Sequence, residues 1–179
     1  LLVLIMKRII FIFIFFLISL ANAQYTKDKH YLGPSLGLSF LGSAPEIGVN
    51  YEYAIDKEFS IGGIFRYFSY GEDFPFYYGK YSYTYVFLGV QGNYHFKIDN
   101  PKIDPFAGLV LGFNTYSSTW ERWEGHKGIV PSASGNSGLY LSAHGTFRYW
   151  IKPNLGLQVR LNFGTSKYSA LDFGVDWKL

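Results

Sequence analysis

The feature that most restricts this chain is a two-residue alternation running through its last two segments. Leu155, Leu157, Val159, Leu161 and Phe163 share one face of an extended strand, and Gly156, Gln158, Arg160, Asn162 and Gly164 share the other. The next segment repeats this, with Leu171, Phe173, Val175, Trp177 and Leu179 set against Asp172, Gly174, Asp176 and Lys178. Earlier, Ile47, Val49, Tyr51, Tyr53 and Ile55 oppose Gly48, Asn50, Glu52 and Ala54. Side chains alternate across a strand, so each run carries one apolar and one polar face. From Tyr31 onward eight runs read as strands, over 31–40, 45–55, 59–70, 81–98, 105–117, 138–151, 155–165 and 169–178, separated by turn residues. Pro34 is expected to interrupt the first. Composition agrees, because the 21% aromatic content and the 20 Gly suit strands and tight turns better than helices.

Which face lies inside decides the class. A soluble sandwich or lipocalin-type barrel would hide the apolar face and wet the polar one. A membrane barrel reverses this, with apolar residues on lipid and polar residues in the lumen. Three features favour the reversal. Strands of about ten to fourteen residues exceed the ~5–6 usual in globular proteins and suit the ~9–11 needed to cross a bilayer at a tilt. The polar faces hold Gly, Ser, Asn and Gln, with a few Arg and Asp, where an exposed soluble surface would be richly charged. Aromatics crowd the strand ends, as in the girdles of membrane barrels. The expected fold is therefore all-β: a closed, antiparallel, up-and-down transmembrane barrel of eight strands over residues 31–179.

The start of the chain fits the same destination. Met6-Lys7-Arg8 precedes an apolar stretch from Ile9 to Leu20, and Ala21-Asn22-Ala23 follows. A basic start, a short apolar stretch and an Ala-x-Ala site make a secretory signal peptide over 1–23, with Met6 as the expected true start. The stretch after Arg8 has about a dozen apolar residues, short of the ~20 a spanning helix needs. Cleavage would remove Lys7 and Arg8, taking the formal charge from +3 to +1; residues 24–30 would be a short periplasmic segment. So small a charge gives no nucleic-acid footprint. The absence of Cys excludes disulfides and thiolate metal sites. Short connections at 56–58, 99–102 and 152–154 alternate with longer ones at 71–80 and 118–137. Short periplasmic turns and longer outside loops are the expected asymmetry, which leaves both termini in the periplasm.

The chain resembles the family of small eight-stranded outer-membrane barrels typified by OmpX and the OmpA transmembrane domain. The resemblance spans the mature sequence, and its most specific part is Asp172-Phe173-Gly174-Val175-Asp176-Trp177-Lys178-Leu179. This looks like the family's assembly signal, carried here by Gly174, Trp177 and Leu179, although that signal usually ends in an aromatic. The resemblance implies an outer membrane of a Gram-negative bacterium, contact with its lipids, delivery by periplasmic chaperones and insertion by the barrel-assembly machinery.

Four constellations could carry function. Glu52, Arg66, Arg148, Arg160, Asp172, Asp176 and Lys178 fall on the inward face and predict a nearly balanced charge network. A three-residue loop at 166–168 would set Arg160 opposite Gly174, with Asp172 and Asp176 on its diagonals. Eight strands enclose just enough room for side chains, so a salt-bridged plug is favoured over a narrow path for ions or solutes lined by Arg66, Arg148 and Arg160. The second is the aromatic stretch 67–85. Its Phe74, Phe76, Tyr77, Tyr78 and Tyr81, with Trp120 and Trp123 of the next loop, make a candidate extracellular contact surface for a host or surface ligand, because rigid aromatics favour recognition. A girdle continued by a hairpin is its structural alternative. The third, Glu121, Glu124 and His126, lacks any specific metal spacing. The fourth, Ser142 and His144, sits inward on one strand, away from lipid, and lacks a lipid A deacylase His-x-Ser-Asn pattern. Neither a cofactor nor an enzymatic role is expected. The expected role is structural or adhesive, through the outside loops.

Overall fold

The computed structural model describes residues 25–125, 129–133, 135, 137–165 and 168–179; the expected signal peptide and His126 fall outside them. Eight strands follow in order: β1 (His30–Ser39), β2 (Ala44–Ala54), β3 (Phe59–Phe74), β4 (Gly79–His95), β5 (Ile103–Arg122), β6 (Gly138–Lys152), β7 (Leu155–Gly164) and β8 (Ser169–Lys178). Each pairs antiparallel with its neighbour, and β8 closes the barrel on β1.

The period-two pattern sorts the side chains as a membrane requires. Along β7, Leu157, Val159, Leu161 and Phe163 are exposed while Gln158, Arg160 and Asn162 are buried. The same inversion runs around the barrel. Leu36 is 68% exposed, and Leu88 and Val90 are each 65%, whereas Arg66 is 0% and Arg160 1%. A water-soluble protein would forfeit roughly 1.5–3 kcal/mol for each large apolar side chain left outside; lipid removes that cost.

Pro34 does not interrupt β1. It pairs with Val49 of β2, and the β8 ladder passes from Leu32 to Ser35 around it. A proline without an N–H can occupy a strand where its missing donor costs no ladder bond. The segment 71–80, expected as a loop, is largely strand. Glu72 faces Tyr81 and Phe74 faces Gly79, with a single 3-10 turn at Pro75–Tyr77. The turn formers Gly71, Pro75 and Gly79 suggested a loop, but Tyr81, Tyr83, Thr84 and Tyr85 are strong strand formers, and the ladder they begin carries Gly71 to Phe74 along with it.

This elongation gives the molecule a second feature. Pairing of β2 with β3 stops at Glu46–Phe68, and pairing of β5 with β6 stops at Asn114–Gly138. The β3–β4 and β4–β5 ladders continue to Phe74–Gly79 and Gly79–Arg122. A three-stranded sheet thus stands beyond the barrel at the end opposite the termini.

Candidate functional site: the filled lumen and the projecting sheet

Three layers fill the lumen. Arg148 organises the one nearest the termini. Its Nε donates to Asp176 Oδ2, its Nη1 to Asp104 Oδ2 at 2.8 Å and its Nη2 to Glu52 Oε2 at 3.4 Å. The guanidinium also lies over the rings of Phe106, Tyr31 and Trp150, at 4.7, 5.1 and 5.4 Å. Secondary partners hold each carboxylate. His95 Nδ1 lies 2.7 Å from Asp104 Oδ1, Gln158 Nε2 donates to Asp176 Oδ1 at 3.2 Å, and Asn93 Nδ2 donates to Glu52 Oε2 at 3.2 Å.

Arg66 and Arg160 form the middle layer. Arg66 reaches Glu46 at 3.3 Å and Asp172 at 3.4 Å, and it donates to Asn50 Oδ1 at 2.8 Å. Arg160 donates to Asn162, Gln91 and Asn50 at 2.8, 3.0 and 3.1 Å. Asn162 in turn donates to Asp172 Oδ2 at 2.8 Å. Above this layer stands a column of aromatics. Phe87 packs on Tyr168 at 4.5 Å and on Tyr140 at 5.0 Å, Phe68 on Tyr85 at 5.1 Å, and Tyr81 on Trp120 at 4.8 Å. Tyr168 ties the column to the network by donating to Glu46 Oε1 at 2.7 Å.

The inward glycines make room for the charges. A Cβ on Gly33 would strike Asp176, one on Gly37 would strike Asp172, and one on Gly48 would come within 2.6 Å of Arg66. Backbone conformation does not require them; the space is taken by the side chain across the ladder.

Beside the termini, the chain folds back over the lumen. Tyr25 stacks on His95 with centroids 3.6 Å apart, and its hydroxyl donates to the Phe59 carbonyl at 2.9 Å. Burial and the nearby Glu52 carboxylate push its phenol well above the usual range, which keeps it neutral and a donor.

The sequence-based sites distribute as follows. Glu52, Arg66, Arg148, Arg160, Asp172 and Asp176 are all buried in the lumen. Lys178 is half-buried at the mouth, 5.3 Å over Trp150. Arg160 lies opposite Asp172, and Gln158 lies opposite Gly174. The β7–β8 hairpin is offset by two residues from the expected register, so every face is kept and every diagonal changes. Arg160 itself bonds neutral amides, and Asn162 links it to the Asp172 carboxylate opposite. Tyr81, expected at the outer surface, is buried at 5% exposure on the inward face of the projecting sheet, where its hydroxyl donates to the Pro131 carbonyl. Phe74 and Trp120 are half-buried against it, while Phe76, Tyr77, Tyr78 and Trp123 are exposed. Trp177 faces outward, Leu179 donates its N–H to the His30 carbonyl at 2.8 Å, and Gly174 lets Gln158 approach. Among the described residues no cluster of three or more potential metal ligands occurs. His144 bonds Thr146 and Asn93, each at 3.0 Å, while the buried Ser142 hydroxyl has no hydrogen-bond partner among the described residues.

Sequence reasoning missed Glu46, His95, Asp104 and Tyr25. Glu46 and His95 share the parity of Gly48 and Asn93 and were legible from it. Asp104 stood beside Pro105, between the expected turn at 99–102 and the strand expected from 105, and Tyr25 precedes the first strand.

No family model and no curated protein matches the chain. Solved structures do match. The outer membrane protein OprG from Pseudomonas aeruginosa superposes with a TM-score of 0.65 at 8% identity, covering 89% of this chain and 99% of that one. A de novo designed transmembrane β-barrel gives 0.57 at 14%, covering 87% and 99%. Ail, the attachment invasion locus protein of Yersinia pestis, gives 0.56 at 9%, covering 86% and 100%. The fold is that of a small transmembrane β-barrel. In such a barrel the exposed Leu and Val of each strand meet acyl chains, and the buried Arg–carboxylate layers become the core.

Proposed function

We propose that the chain is an integral outer-membrane protein that acts at the cell surface through its projecting β3–β4–β5 sheet, with the termini in the periplasm and the lumen serving as a structural plug. The sheet itself is the observation that carries this. It continues past the last pairings with β2 and β6, and it ends in Phe76, 94% exposed, beside exposed Tyr77 and Tyr78. The Tyr116 N–H points toward β6 and meets Ser137 Oγ at 2.9 Å. Ser118 and Trp120 of β5 therefore turn their backbone groups to the same side, beyond the final β5–β6 pair. An edge of this kind accepts an extended segment of a partner, and rigid aromatics beside it add contact area. The name of Ail, a fold neighbour, ties that protein to attachment, which is consistent with a contact role here.

The test is cell or matrix binding by bacteria displaying the intact chain, compared with a variant whose residues 71–80 are replaced by a short turn. Loss of binding with unchanged heat-modifiable gel mobility supports the reading. Full binding by the shortened variant refutes it. Steady single-channel conductance of the intact barrel in planar bilayers would instead favour a solute path.

A further inference from the structure

Three adjacent strands bring a hydroxyl, an imidazole and a carboxylate together at the mouth beside the termini. Ser60 is the second residue of β3, His95 the last of β4 and Asp104 the second of β5, and all three are buried. Ser60 Oγ lies 3.2 Å from His95 Nε2, and His95 Nδ1 lies 2.7 Å from Asp104 Oδ1. The two ring nitrogens are thus used in the order that a serine nucleophile needs, with the carboxylate on Nδ1 and the hydroxyl on Nε2. The partners also fix the protons. An ionised carboxylate only accepts, so Asp104 places the imidazole proton on Nδ1 and leaves Nε2 to accept. Asn93 Nδ2 donates to Ser60 Oγ at 3.0 Å, which leaves the hydroxyl's own proton for Nε2. Arg148 Nη1 holds Asp104 at 2.8 Å. Glu52 Oε1, 3.5 Å from Nε2, would stabilise the imidazolium formed when His95 takes that proton.

The space over this group is taken by a residue from outside the strands. Tyr25 precedes β1, and its ring stacks on His95 at 3.6 Å and clusters with Tyr31, Ala54 and Trp150. Its hydroxyl is bonded to the carbonyl of Phe59, the residue before Ser60. A cavity of about 450 Å³ lies beside it, with Tyr25, His95, Ile98, Ile103 and Asp104 among its lining residues. The Tyr25 ring therefore stands between that cavity and the Ser60–His95 pair, in a seat that is apolar apart from the imidazole.

We propose that Ser60 is the nucleophile of a latent ester-cleaving site at this mouth, with His95 as its base, Asp104 orienting His95 and Tyr25 as a removable cover. The substrate class is an ester whose apolar, ring-sized group takes the seat of the Tyr25 ring. Ser60 Oγ bonds to the ester carbonyl carbon as His95 Nε2 takes its proton, and Asn93 Nδ2 supplies a donor for the charge that develops on the carbonyl oxygen. The C–O bond to the alcohol then breaks, and the leaving alcohol recovers the proton from His95. Water repeats both steps on the acyl-serine and frees the acid. The site does not depend on what the projecting sheet touches.

The full chain, folded into lipid vesicles, is treated with an aryl fluorophosphonate, which a nucleophilic serine attacks with loss of fluoride. Peptide mass spectrometry maps the adduct. The adduct is expected on Ser60, slow to form in the intact chain and faster in Tyr25→Ala. In the Tyr25→Ala background His95→Gln should slow it by at least ~100-fold, the lower end of what a positioned base contributes. Ser60→Ala, which removes a single oxygen, should abolish it with heat-modifiable gel mobility kept, and this tests the site even if His95→Gln does not fold. Tyr25→Ala should also cleave p-nitrophenyl acetate, and adding Ser60→Ala should remove that cleavage. No Ser60 adduct in either the intact chain or Tyr25→Ala overturns the proposal, as does a rate that His95→Gln leaves unchanged. Equal rates with and without the Tyr25 ring overturn its role as a cover. Ester cleavage that survives Ser60→Ala assigns the reactivity to another group and overturns the site.

Discussion

Replacing Arg148 with Met removes the cation that three buried carboxylates share while keeping much of the side-chain volume. Asp176, Asp104 and Glu52 would lose their guanidinium partner together, at side-chain exposures of 2% to 4%. Breaking a buried ion pair by removing one partner costs about 3–5 kcal/mol, because the remaining charge is uncompensated. Three carboxylates do not triple that figure. Asp104 keeps His95, Asp176 keeps Gln158 and Glu52 keeps Asn93, and couplings within one network do not add. The lost cation–π contacts to Tyr31, Phe106 and Trp150 contribute a further ~0.5–2 kcal/mol, of which Met's packing on the rings returns a part. The expected loss is therefore about 3–5 kcal/mol. Reversible urea unfolding in lipid vesicles, followed by gel mobility, measures it. Adding Asp104→Asn, Asp176→Asn and Glu52→Gln to the Met variant should recover most of the loss, since a neutral core carries no stranded charge. A single variant within ~0.5 kcal/mol of wild type, the range of an ordinary surface substitution, would refute the hub. A combined variant less stable than the single one would do the same.

Three further outcomes follow from other parts of the barrel. Gly33→Val places atoms where Asp176 sits and should cost ~1–3 kcal/mol as an overpacked core does, read in the same unfolding assay. Leu88→Arg, neutral on a soluble surface, should cost ~2–4 kcal/mol in vesicles if that strand position lies near the bilayer midplane. Phe76→Ser should leave stability within ~0.5 kcal/mol yet weaken cell or matrix binding; unchanged binding would remove Phe76 from the contact surface.

The barrel was legible in the sequence because its cause is local. Leu157 to Phe163 can alternate with Gln158 to Asn162 only as a strand with two unlike faces, and a shift by two residues leaves those faces intact. For that reason the β7–β8 offset moved Arg160 from Gly174 to Asp172 without turning it out of the lumen. The partners of Arg160 depend on three strands meeting across the barrel, and no single-strand pattern encodes which of Asn50, Gln91 and Asn162 it will reach. Tyr81 was misplaced for a different physical reason. Tyrosine suits an interfacial girdle and a packed lumen equally well, and composition cannot separate them. Its parity with Tyr83, Tyr85 and Phe87, all within the expected run 81–98, could have done so.

The central claim is that the polar face is the inside and the apolar face meets lipid. The chain has no Cys, so single cysteines can be introduced along β7, from Leu157 to Phe163, and spin-labelled in vesicles. The account predicts a period of two. Labels at 157, 159, 161 and 163 should collide with dissolved oxygen and not with a water-soluble nickel complex, while labels at 158, 160 and 162 should be immobile and shielded from both. Strong nickel-complex accessibility at 157, 159 and 161 would contradict it, because those side chains would then face water.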